Sequence, residues 1–182
     1  MVEINADTCL FDHVILMRKY RVMAYALPLS FKQSIMPHNF QQYAEEGNRF
    51  INTLSDALGN PDDTAHASRV TNAIFKAIRD RITPAQSMHI VSQLPMALKG
   101  VYVDGWKMSD ELSNAKTQAE FFEDIRMHAA APSGRDFGND QQMGEIVRIF
   151  FGVLRDYVDD GELRHIAQQL PEGIAELIEE HV

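Results

Sequence analysis

The chain has one cysteine, Cys9, among its 182 residues. No disulfide can form within it, which fits a reducing compartment. Basic residues are also scarce, with 17 Lys and Arg against 26 Asp and Glu and a formal net charge of −9. A phosphate-backbone partner calls for a basic footprint, so nucleic acid is not expected as a partner. Apolar runs of membrane length are missing too. The most apolar early stretch holds Leu10, Phe11, Val14, Ile15 and Met17, but Asp12, His13, Arg18 and Lys19 interrupt or bound it. It is too short to span a bilayer, and acidic residues before it with basic ones after are the wrong order for a signal peptide. The expected location is the cytoplasm, with no membrane partner. There is no sustained period-two alternation and no hairpin dipeptide between apolar runs, so no strand is predicted. Also missing are a nucleophile elbow, a phosphate-cradling glycine loop with lysine, and a His-Glu-x-x-His metal motif. No catalytic residue, metal ligand or cofactor is assigned on sequence grounds.

What is present is ordinary in bulk: 45% hydrophobic and 24% charged residues describe a globular chain. At this length roughly 70% of the unfolded surface can be buried, so the fold needs no covalent staples. The organising feature is an internal repeat. Ile74–Trp106 (IFKAIRDRITPAQSMHIVSQLPMALKGVYVDGW) returns in large part as Phe150–Ile178 (FFGVLRDYVDDGELRHIAQQLPEGIAELI). Phe75, Arg79, Asp80, His89, Ile90, Gln93, Leu94 and Pro95 recur about 76 positions later as Phe151, Arg155, Asp156, His165, Ile166, Gln169, Leu170 and Pro171.

Each copy carries its own helix punctuation. Thr83, Pro84 and Gln86 read as N-cap, first helical residue and reciprocal partner of a capping box, and Asp159 with Glu162 reads as the same device. Ser87, Ile90, Val91 and Leu94 follow the spacing of one helical face, echoed by Leu163, Ile166, Ala167 and Leu170. Pro95 and Pro171 break the chain. A last helix then buries Leu98, Val101 and Tyr102 in one copy and Ile174, Leu177 and Ile178 in the other. Upstream, Phe40, Tyr43, Ala44, Gly47, Ile51, Leu54 and Leu58 form a helical stripe closed by Gly59 and Pro61. Gly47 in that stripe is explained by a close helix crossing. Asp63 or Thr64 caps the next helix, whose inner face is Val70, Ala73, Ile74, Ala77 and Ile78.

Thr117 and Glu120 form another capping box and open the second half, with Phe121, Phe122, Ile125 and Ala129 set loosely against Phe50, Ile51, Leu54 and Leu58. The loop Ala131–Asn139 is longer than its counterpart and holds the insertion of the second copy. Asn139 or Asp140 then caps a helix containing Ile146, Ile149, Phe150, Val153 and Leu154. The predicted product is all-α: two tandem four-helix repeats packed about a pseudo-twofold axis. The organisation read from sequence is an N-terminal appendage over 1–38, repeat one over 39–106, a linker over 107–116 and repeat two over 117–182. The appendage reads as one short helix from Thr8 to Ala26.

FQQYAEEGNRFI, IRDRITPAQSMHIVSQLPMALKGVYVDGW and LRHIAQQLP resemble the bacterial domain-of-unknown-function family numbered 2267. The likeness covers about residues 39–182, and SQLP with KGVYVDGW is its most specific part. It implies an all-helical fold, commonly a tandem of two such halves, and supplies no activity or catalytic residues. Residues 1–35 depart from the family, and a start mis-assigned upstream of Met36 would account for them.

Several residues invite chemistry. Glu162-x-x-His165 has the spacing of a di-iron carboxylate helix, but the first copy has Gln86 at the matching position and Glu162 already serves as a cap. His89 and His165 could form a symmetric pair across the axis; the plainer reading is half-buried rings with one nitrogen hydrogen-bonded. Arg79 and Arg155 could hold an anion, but each is followed by an acid, and a structural pair near the helix C-terminus or across the halves is the plainer reading. Glu172, Glu176, Glu179 and Glu180 read as the solvated face of the final helix.

Function acquired by one copy should show where the symmetry breaks. The largest break is Gly100–Lys107, with the only tryptophan, Trp106, close to Tyr102. Either both rings staple the halves together or they form a contact site. The candidate binding residues are therefore Tyr102, Trp106, His89, His165, Arg79 and Arg155. The reading that follows is a non-catalytic interaction or scaffold protein, with an unidentified protein or a second copy as partner. The alternative is a small-molecule-binding protein or enzyme using the groove between the repeats.

Overall fold

The structure, a computed structural model, describes residues 39–107, 112–129 and 133–179. The expected Thr8–Ala26 helix lies outside them. The described elements are all helical: α1 (Phe40–Ala57), α2 (Thr64–Arg81), α3 (Pro84–Gln93), α4 (Met96–Val103), α5 (Gln118–His128), α6 (Ser133–Asp136), α7 (Asp140–Leu154), α8 (Asp160–Ala167) and α9 (Glu172–Glu179). No helix among the described residues is long and apolar enough to cross a membrane.

Local sequence sets most of the boundaries. Asp63 caps α2, and Thr83, Thr117 and Asn139 each close a full capping box with Gln86, Glu120 and Gln142. Each box satisfies backbone donors that the first turn leaves unpaired. The box expected at α8 is built differently. Asp159 does accept from the Glu162 amide, but the side chain that reaches back to the Asp159 amide is Gln93, from the end of α3. Gln93 also donates to Asp159 Oδ2 at 2.7 Å. A cap expected to be local is thus a clasp between the two halves.

Burial follows the expected faces where a helix has one covered side. Ser87, Ile90, Val91 and Leu94 are buried on α3 and the segment after it, and so are Leu163, Ile166, Ala167 and Leu170 on their α8 counterparts. Val101 on α4 and Leu177 on α9, expected to be buried, are half-buried, and two other helices depart further. On α1 the stripe is rotated: Phe40 is 77% exposed, and the centre of the buried face is Gly47, Phe50 and Leu54. Phe40 occupies the first turn, and its ring meets Tyr43 edge-to-face. On α2 the predicted face is buried, but so are Ala67, Thr71, Phe75 and Arg79. The reason is position, since α2 packs against α1, α4, α5 and α6.

The packing partners match half for half. In the first half α1 meets α2 and α4, α2 meets α4, and α3 meets α4; in the second, α5 meets α7 and α9, α7 meets α9, and α8 meets α9. Between the halves α2 meets α5 and α1 meets α7. The described residues from Phe40 onward form one compact unit, held at its centre by a relay of edge-to-face rings. Trp106 meets Tyr102, Tyr102 meets Phe75, Phe75 meets Phe150, Phe150 meets Phe50, and Phe50 meets Tyr157, at centroid distances of 5.1–6.2 Å. Such pairs add about 0.5–1.5 kcal/mol each beyond the area they bury. Phe150 therefore links the halves by standing between two phenylalanines of the first.

Gly47 is a close crossing, as its place in an apolar stripe implied. A Cβ added there would lie 2.7 Å from Ala97 Cβ on α4. The long loop of the second half folds down as α6. Asp136 takes both Arg69 Nε and Arg69 Nη2 at 2.8 Å, His66 Nε2 meets its carbonyl oxygen at 2.8 Å, and Phe137 is buried. This bidentate pair holds the Asp136 carboxyl below the usual range.

Candidate functional site

The site grows from the C-terminal ends of α2 and α4. Carbonyls at a helix end lack intrahelical donors, and α4 finishes with Tyr102 and Val103 before a turn at Asp104 and Gly105. Gly105 has φ +62°, a left-handed conformation that glycine adopts without strain. The turn brings Trp106 back toward α2. Arg79 fills the space between: its Nη1 donates to the carbonyls of Tyr102 at 2.9 Å and Asp104 at 3.0 Å. Its Cζ lies 5.9 Å from the centroid of the Trp106 ring, within cation–π range. Arg79 is 7% exposed, and its buried Nε has no hydrogen-bond acceptor among the described residues.

The next two residues tie the second half to this end. Asp80 Oδ2 meets His128 Nε2 from α5 at 2.8 Å, and the Asp80 carbonyl accepts from the Ser113 amide at 2.7 Å. Arg81 donates to the carbonyls of Ser113 at 2.6 Å and Gln169 at 3.1 Å. The Ser113 hydroxyl in turn donates to Asp124 Oδ2. Between these groups lies an open cleft of about 600 Å³ whose lining includes Arg79, Asp80, Trp106, Asp124, Met127 and His128. Both halves contribute to it.

Of the six residues singled out from sequence, Arg79, Tyr102 and Trp106 come together here. Tyr102 is fully buried and its hydroxyl donates to Ser87 Oγ at 3.0 Å. Burial, opposed by that hydrogen bond, pushes its phenol up to about 12. It supports the site from behind and presents no face to a ligand. Trp106 is half-buried: it packs against the core, meets the Tyr102 ring edge-to-face and lines the cleft.

The other three stand elsewhere. His89 and His165 are exposed on α3 and α8, not half-buried, because each projects from the side opposite the buried residues Ile90 and Ile166 prepare. Neither lines the cleft. Arg155 is also exposed; its carboxylate partner is Asp160 at 3.3 Å, not the adjacent Asp156. Among the described residues no three of His, Cys, Asp and Glu converge as a metal-binding group.

His128, Ser113, Asp124 and Met127 were not anticipated. None belongs to a motif, and the only available signal was asymmetry: setting Ala129 against Leu58 places His128 opposite Ala57. The Asp80–His128 pair orients an imidazole in an open cleft. The Ser113 hydroxyl of the same lining serves Asp124.

No curated protein matches the chain. A family model described as "Uncharacterized conserved protein" matches residues 47–177, a span that runs from the Gly47 crossing on α1 through Arg79, Trp106 and His128 into α9. The chain belongs to the family of uncharacterized conserved proteins DUF2267.

Proposed function

We propose that this chain is a non-catalytic interaction or scaffold protein of the bacterial cytoplasm, and that it meets a protein partner or a second copy through the face bearing Trp106. The observation that carries this is the division of labour among polar residues. Several polar residues at repeat positions serve the fold: Gln93 clasps α8, Arg79 closes α4, and Thr83 and Asp159 cap helices. In the stretch without a counterpart Tyr102 is buried and Trp106 stays partly exposed. The two halves are proposed to be related by a pseudo-twofold axis, a reading supported by their matched packing partners. A photoreactive p-benzoylphenylalanine at position 106 tests the proposal in living cells. A discrete crosslinked species is expected there and not with the same probe at His89 or Arg155. Trp106→Ala should fold, cost about 1–3 kcal/mol as a partly buried truncation, and lose that partner. No crosslink at 106, with a variant that behaves like wild type, would refute it.

A second reading is favoured by the cleft itself. A groove of this volume with a charged floor and apolar walls is the common form of a small-molecule site, and here it is built from both halves.

A further inference from the structure

We infer that the cleft takes a small aromatic monocarboxylate, with its ring on the apolar wall and its carboxylate toward Arg79. The inference rests on the groove reading above. Its first support is the unsatisfied donor. A buried N–H without an acceptor is costly and rare, and it marks a place where an acceptor is missing. Asp80 Oδ1 is 3.8 Å from Arg79 Nε, and the other oxygen of Asp80 is engaged by His128. An oxyanion in the cleft beside Arg79 supplies the acceptor that the described residues do not.

The second support is the wall. Trp106, Leu112 and Met127 line the same cleft, with Leu112 41% and Met127 74% exposed. An exposed methionine beside a tryptophan is an adaptable apolar surface suited to a flat ring. The third is the charge balance. Asp80 and Asp124 also line the cleft, each already accepting a hydrogen bond, from His128 and Ser113. Arg79 and Lys107 stand against these two carboxylates in the lining, so its formal charges cancel and a singly charged ligand is favoured over a phosphate dianion.

The protein has its own reporter. Trp106 is the only tryptophan, so the ¹⁵N-labelled full chain gives a single indole N–H resonance, and that resonance comes from the cleft. Sodium benzoate, benzamide and sodium acetate are titrated separately at constant ionic strength. Benzoate should move the indole signal saturably, and benzamide and acetate should each bind at least about tenfold more weakly. Met127→Asp, at an exposed position, should retain the fold and weaken benzoate by about tenfold; Arg79→Gln should erase the preference for benzoate over benzamide. If Arg79→Gln unfolds, Met127→Asp still decides. Equal binding of benzamide would overturn the carboxylate assignment and leave the groove reading standing. No saturable shift with either compound would overturn both. Benzoate binding unchanged by Met127→Asp would place the site elsewhere and overturn the inference.

Discussion

Arg79 donates from Nη1 to the main-chain carbonyl of Tyr102 at 2.9 Å, so the end of α2 closes the end of α4. The matching arginine of the second copy, Arg155, makes only an exposed pair with Asp160. Identical residues at matching repeat positions therefore carry different loads. Arg79→Met should lower stability by about 1.5–3 kcal/mol, because it leaves carbonyls without their charged donor. Arg155→Met should change it by about 0–1 kcal/mol. Urea melts of the two variants check this, and equal losses would show that Arg79 is no more than a surface pair.

Tyr102 makes alkaline stability informative. Its folded pKa, pushed up to about 12 by burial, lies above an ordinary tyrosine's value near 10. The unfolded chain therefore releases this proton first as pH rises. The contribution is fully present below pH about 10 and is lost between about 10 and 12, a change of order 2–3 kcal/mol. Tyr102→Phe should remove that part of the alkaline loss, while costing about 1 kcal/mol at neutral pH for the missing bond to Ser87. An alkaline stability profile unaltered by Tyr102→Phe would mean the phenol is not buried.

Gly47 and Ala97 should be coupled. Alanine at 47 gains roughly 1 kcal/mol of helix propensity, but its Cβ would sit 2.7 Å from Ala97 Cβ, and overpacking costs about 1–3 kcal/mol. Gly47→Ala is expected to destabilise the chain alone and to do so less in an Ala97→Gly background. Additive effects in the double-mutant cycle would place the two helices further apart.

These pairs also mark how much the sequence revealed. Local devices were legible: Thr83 with Gln86 and Thr117 with Glu120 lie three residues apart, and the structure closes both boxes. The buried faces of α3 and α8 were legible because each helix has one covered side. The face of α1 was misjudged at Phe40, since periodicity does not say where a neighbouring helix ends. Spacing alone makes Glu162 the reciprocal cap of α8, but Gln93, 66 residues before Asp159, takes the position. Arg69 with Asp136 and Asp80 with His128 join loop or helix ends across long separations, and no periodic pattern encodes such contacts. His89 and His165 recur at the same helical position, and nothing in the structure explains their recurrence by a shared contact. Arg79 and Trp106 were found by different routes, one by repetition and one by its absence.

The most direct measurement is acrylamide quenching of the Trp106 emission in the folded full chain. No other tryptophan contributes, so the signal reports on the junction alone. An open, half-buried ring predicts emission between the buried and free extremes, with clear quenching under native conditions. Blue-shifted emission that acrylamide reaches only after denaturation would mean the junction is closed over Trp106, and the contact face proposed for it would not exist.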